Sequence, residues 1–293
     1  MEIQSMKAFS KILNDQTFTD YYYRLMLLAR SVFKWENLPG NINEKWVEYF
    51  LFHHGKCVVY EDPLRGIMVA ECLDDGKINN YHEPLCVKPA GIDVQPITLT
   101  PGKDCVIIRN NDEMIPTSFT LKLFAYRLAE ISRTIDVNIQ AQKTPVLITG
   151  SDKQMKSLHV IYNQYDGNKP VIFGDKSLDN MEIMKVLNTN APVVFPQLQV
   201  QKTTIWNECL TFLGINNANT EKRERLITDE VTANNTHIDL SAECFLKARQ
   251  RAADEINELF GTSCTVERRE SFMESERMEE MYKWQSTQSP SEE

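Results

Sequence analysis

The sequence predicts an α+β protein, mainly helical, in which two long helices bracket a small mixed insertion. Three observations carry that expectation. After Pro116, the residues Leu121, Phe124, Leu128, Ile131, Ile135 and Ile139 recur at steps of three or four, which predicts an amphipathic helix to about residue 140. Residues 56 to 112 change to short β-prone runs divided by turn signals. Between Pro145 and Pro196, strand-like and helix-like runs alternate within a short span.

Taken in order, Phe18, Tyr22, Leu25, Ala29 and Val32 predict a first helix from Phe18 to Trp35, with Thr19 or Asp20 as caps and Leu38-Pro39-Gly40 ending it. Trp46, Tyr49 and Phe50 predict a second, shorter helix from Asn43 to His54. The runs CVVY, GIMVAECL, PLCV, PITL and DCVII, separated by Asp-Pro, Asp-Asp-Gly, Lys-Pro-Ala-Gly and Pro-Gly-Lys, read as a small antiparallel sheet or barrel, or as a meander packed on helices. The 117 to 140 helix would span about 35 Å at about 1.5 Å per residue.

In the insertion, TPVLITG and PVIFGD read as strands, and Lys153 to Tyr165 and Leu178 to Leu187 as helices. A helix from Leu198 to Leu213 follows, closed by Gly214. Residues 214 to 237 are asparagine-rich, mixed in charge and poor in large apolar residues, which reads as a mobile loop. The last helix runs from Leu240 to Phe260, with Asp239 or Ser241 as cap and Gly261 as stop, before a charged tail that includes FMESERMEEMYKW.

Composition narrows the function. With 293 residues and 42% hydrophobic content the chain can bury a substantial core. A net charge of −9 argues against wholesale coating of nucleic acid, which needs a clustered basic face. The seven cysteines have neither CxxC pairs nor zinc-type spacing, and read as reduced thiols in cores. No secretory signal is read at the start, and no run approaches the roughly 20 apolar residues of a membrane helix.

Catalytic motifs are missing as well. The Gly-Lys pairs at Gly55, Gly76 and Gly102 lack the rest of a phosphate loop, and there is no GxSxG, HExxH or GxGxxG. His53-His54 are adjacent, so on a helix they point about 100° apart and make a poor metal pair. Asp229-Glu230, the one nearby carboxylate pair, is too little for a metal-dependent nuclease. Gly150-Ser151-Asp152 reads as an ordinary helix cap with the outline of an anion site. The sequence thus predicts no enzyme, no cofactor and no metal. Lys222, Arg223 and Arg225, flanked by Glu221 and Glu224, read either as a solvated loop or as a weak, sequence-independent contact with a polyanion.

The segments FKWENLPGNIN (33 to 43), AQKTPVLITG (141 to 150), IYNQYDGNKPVIF (161 to 173) and QKTTIWNECLTFLGINNANTEKRERLITDEV (201 to 231) resemble, in the same order, one family: the upper collar connector, or portal, of small podophages with protein-primed linear DNA. The resemblance implies a phage portal fold with long stem helices, a small β-barrel or sheet in the wing, an α/β clip and a channel loop. It divides the chain into residues 1–112 (N-terminal helices and wing sheet), 113–145 (descending stem), 146–197 (clip), 198–216 (ascending stem), 217–236 (channel loop), 237–265 (wing helix) and 266–293 (disordered tail). Twelve helices about 10 Å thick, side by side, would give a bore of roughly 28 Å, enough for hydrated duplex.

Related connectors carry channel lysines at positions matching Lys222 and Arg223, whereas two further lysine positions are Asn188 and Gln197 here. The basic N-terminal arm that binds a packaging RNA in the related protein is short and nearly neutral in this chain, so RNA binding is not carried over. The implied function is a portal subunit in the virion, made in the host cytoplasm. Its implied partners are further copies of itself, double-stranded viral DNA, a packaging ATPase, capsid and scaffolding proteins and lower collar or tail proteins. The alternative is a virion adaptor or lower collar protein that makes protein contacts only.

Overall fold

A computed structural model describes residues 2–40, 42–91, 94, 97–142, 146–150, 171–175, 184–186, 192–216 and 228–269, with side chains described over 11–40, 42–91, 94, 97–142, 192–216 and 236–269. The chain forms two compact units, one of residues 1–18 and 127–205, the other of residues 19–126 and 206–293. Helix and sheet are mixed, as the composition of apolar periodicities predicts.

The larger unit is organised by a four-stranded antiparallel sheet of β2 (Lys56–Asp62), β3 (Gly66–Asp74), β4 (Val87–Ala90) and β5 (Cys105–Arg109), in the order β4-β3-β2-β5. It is an open sheet and not a barrel: β4 and β5 are its two edges, and four strands are too few to close around filled side chains. The runs CVVY and CVII are continuously apolar because both faces of β2 and β5 are buried. Cys57, Val59, Val106 and Ile108 join one core, and Val58, Tyr60, Cys105 and Ile107 join another. β4 includes Lys-Pro-Ala, read from sequence as a turn; Pro89 is tolerated because β4 is an edge strand.

Helix α1 is Glu2–Ala29, and the next residues Phe33–Glu36 form strand β1 instead of prolonging it to Trp35. The reason is non-local: β1 pairs antiparallel with β9 (Thr265–Arg268) from the far end of the chain. Thr19 and Asp20 lie inside α1, where Asp20 pairs with Arg24 one turn on. Helix α2 (Glu44–His54) starts as its cap chemistry requires. The Asn43 side chain accepts from Lys45 N, and Gly55 ends the helix with φ +78°.

Helix α3 covers Thr117–Gln142, and α4 covers Phe195–Phe212 with Pro196 in its first turn, where a missing N–H costs nothing. Helix α5 is Thr228–Phe260, so residues 228 to 236 are helical, not loop. A growing helix adds one hydrogen bond per residue once nucleated, which lets it extend over a segment poor in apolar residues. Consequently Asp239 and Ser241 are not caps: Ser241 Oγ donates to the Phe212 carbonyl at 2.6 Å, and Asp239 pairs with Arg268. Phe124, Phe212 and Phe245 stack in sequence at 6.3 and 5.8 Å, joining α3, α4 and α5.

A buried ion pair lies in the core of this unit. Arg249 on α5 donates through Nε and Nη2 to the Glu48 carboxylate on α2 at 2.9 and 2.8 Å, and both side chains are almost fully buried. Its remaining N–H groups reach Asn110 O, Phe245 O and Asn110 Oδ1 at 3.0–3.1 Å, so all five guanidinium donors are used. Trp35 Nε1 also donates to Glu48, and Phe33 lies 4.3 Å beneath the guanidinium. One cluster thus binds β1, α2, the β5–α3 turn and α5.

In the smaller unit, the two apolar runs form the expected strands β6 (Val146–Gly150) and β7 (Val171–Asp175), which pair in parallel. On its other side β6 pairs antiparallel with β8 (Met184–Val186), inside the stretch Leu178 to Leu187 read as helix. Three residues carry no periodicity that separates strand from helix. The predicted helix Lys153 to Tyr165 lies outside the described residues.

Asn138, buried on α3, accepts from Val194 N and Phe195 N at 3.2 and 3.3 Å and donates to the Pro192 carbonyl at 2.8 Å, capping α4 from another helix. Asn138→Ala is expected to cost about 1–2 kcal/mol, the usual worth of a helix cap. Faster amide exchange at 194–198, with exchange in β2 and β5 unchanged, is the check.

Candidate interface and channel residues

Helix α3 is apolar on two sides. Leu121, Ala125, Leu128 and Ala129 are buried, while Phe119, Leu123 and Tyr126, spaced by four and three residues, are 62%, 62% and 58% exposed. Tyr23 and Leu27 on α1 are a second exposed pair, one turn apart. Rows of this kind mark surfaces that associate, since isolated exposed apolar residues are ordinary but aligned ones are not. Sequence periodicity alone missed this second row, because Phe119 and Leu123 fall between the members of the core stripe.

The turn from Asn79 to Glu83 holds another exposed aromatic residue. Asn79 Oδ1 accepts from Tyr81 N and Glu83 N, and its amide donates to the Glu83 carboxylate, which also bonds Arg109. The Asn79 and Arg109 donors hold the Glu83 carboxyl below its usual range. This bracing presents Tyr81, 84% exposed, at the tip of the turn.

The histidine doublet is engaged with separate neighbours. His53 packs on the rings of Tyr49 and Phe52 and burial lowers its pKa, whereas His54 Nδ1 lies 3.0 Å from Glu71 Oε1. Among the described residues, no group of three or more His, Cys, Asp or Glu is placed to hold a metal ion. Cys57, Cys72, Cys105, Cys209 and Cys264 are buried, and desolvation pushes the thiols of Cys72, Cys105 and Cys209 up to about 12. Cys244 is exposed.

The residues predicted to meet a polyanion, Lys222, Arg223 and Arg225, lie outside the described residues. So do Asn188 and the Ser151-Asp152 turn. Gln197 is exposed in the first turn of α4. No helix among the described residues is long and apolar enough to cross a membrane.

The larger unit sets long helices against an open sheet and leaves apolar rows uncovered, as a subunit built to assemble with others does. A solved structure titled "Portal and tail of native bacteriophage P68" contains a chain that superposes with a TM-score of 0.51 at 14% identity, covering 92% of this chain and 93% of that one. The family model described as Phage Connector (GP10) matches residues 2–273, and the chain belongs to that family. It is a portal subunit of a bacteriophage, a virion component at the head–tail junction that serves DNA packaging. The family is a structural, non-catalytic one. The match also extends the kinship to both sides of the four segments that resemble podophage connectors.

Proposed function

We propose that this subunit forms a closed ring, a dodecamer, whose bore passes double-stranded viral DNA during packaging, retention and ejection. The observation that carries the ring is the two-sided helix α3. Leu121, Ala125 and Leu128 are covered by their own chain, whereas Phe119, Leu123 and Tyr126 are left for a neighbouring copy. A ring needs one such surface meeting a different one on the next subunit, so that the contact repeats until it closes. The exposed Tyr23 and Leu27 on α1 supply a complementary apolar surface.

In this reading α3 and α4 are the stem and residues 146–197 the clip, which docks a packaging ATPase and later the lower collar and tail. Residues 217–236 face the bore, and the wing, including the braced Tyr81, meets capsid and scaffolding proteins. The adaptor alternative is set aside because membership of the connector family favours the portal. Lys222, Arg223 and Arg225 touch passing phosphates without reading bases, a loose contact suited to DNA that must move.

Native mass spectrometry of the purified chain tests the ring: a species near twelve subunits is expected, and a monomer or dimer at all concentrations would overturn it. Lys222→Ala with Arg223→Ala is expected to leave that species intact while filled capsids lose DNA more readily. Unchanged retention refutes the channel role of these two residues.

A further inference from the structure

An open apolar groove of about 220 Å³ lies in the larger unit, lined by Asn43, Trp46 and Phe50 of the α2 segment and by Met68 and Val69 of β3. Trp46 is 49% exposed. From Gly66 to Ala70, β3 pairs with β2, and β4 ends opposite Glu71. The groove therefore sets Trp46 and Phe50 of α2 beside Met68 and Val69 of β3, an apolar surface that a short apolar segment can cover.

The position of the last described residue says what covers it. Arg269 N donates to the Val32 carbonyl at 2.8 Å, and its guanidinium reaches Glu44 Oε1 at 3.1 Å. Glu44 is the first residue of α2 and the neighbour of groove-lining Asn43. The chain that continues from Arg269 reads Glu-Ser-Phe-Met-Glu. At about 3.3 Å per extended residue, Phe272 and Met273 reach roughly 10–13 Å from Arg269, about the width of a helix. Charge agrees: the segment carries Glu270 and Glu274, and the Lys45 ammonium sits at the groove's rim, 5.4 Å over the Trp46 ring.

We propose that residues 270–274 of the same chain dock in this groove, with the Phe272 ring against Trp46 and Phe50 and Glu274 beside Lys45. The inference does not depend on ring formation, and ring size measured on the same samples keeps the two readings apart.

The test replaces Phe272 with the photo-reactive p-benzoylphenylalanine in the full-length protein. Irradiation is expected to join it to the 43–50 or 66–70 peptide of the same chain. Amide exchange at 271–274 in wild type is expected to be slowed by roughly tenfold or more relative to Phe272→Ala, with β2 and β5 unaffected. Cross-links elsewhere, cross-links joining two copies, or equal exchange in wild type and variant would overturn the proposal.

Discussion

Arg249→Met is expected to destabilise the protein by about 3–5 kcal/mol, the cost of stranding a buried carboxylate without its partner. Glu48 would keep only the Trp35 N–H, and the acceptors Asn110 O, Asn110 Oδ1 and Phe245 O would lose their donors together. Glu48→Met should cost about as much for the opposite reason, leaving a buried cation. The double variant should recover part of the loss, since two apolar side chains of similar volume no longer bury a charge. Recovery is incomplete because the Trp35 and Asn110 groups remain unpaired at about 1–3 kcal/mol each. Urea unfolding at one fixed protein concentration measures all three, and simple additivity of the two single losses would sink the account.

Gly55→Ala should be about as damaging, by steric overlap alone. Gly55 has φ +78°, and an added Cβ would lie 1.9 Å from the Met114 carbonyl oxygen and 3.0 Å from Pro116 N. The left-handed backbone costs a side-chain-bearing residue about 1–2 kcal/mol, and overpacking adds about 1–3 more. The atoms it meets are backbone, so no flexible side chain can move aside. Gly66 is the internal control: its φ is +76° but nothing lies within 4 Å of its Cβ position. Gly66→Ala should show the backbone cost only, and equal losses at the two positions would remove the steric argument.

What was legible in the sequence follows the range of the interactions. The stripe Leu121, Phe124, Leu128 announced α3 because helical burial repeats locally, and the Pro-Gly and Asp-Asp-Gly turns marked the sheet for the same reason. β1 was not legible, since Phe33–Glu36 becomes a strand only when residues 265–268 arrive beside it. Nor was the role of Arg249, whose partner Glu48 is 201 positions away. Of the candidate site, the basic cluster around Lys222 was visible as composition. The exposed row Phe119, Leu123, Tyr126 was not, because a one-dimensional pattern records apolar residues without recording which face meets solvent.

The cap that Asn138 places on α4 has a consequence for how this chain can vary. Asn138 on α3 accepts from both Val194 N and Phe195 N, so a side chain of one long helix anchors the start of the other. The second long helix thereby has an anchor that does not run along the chain between the two. A substitution between residues 143 and 191 that spares this anchor is then expected to leave the start of α4 in place.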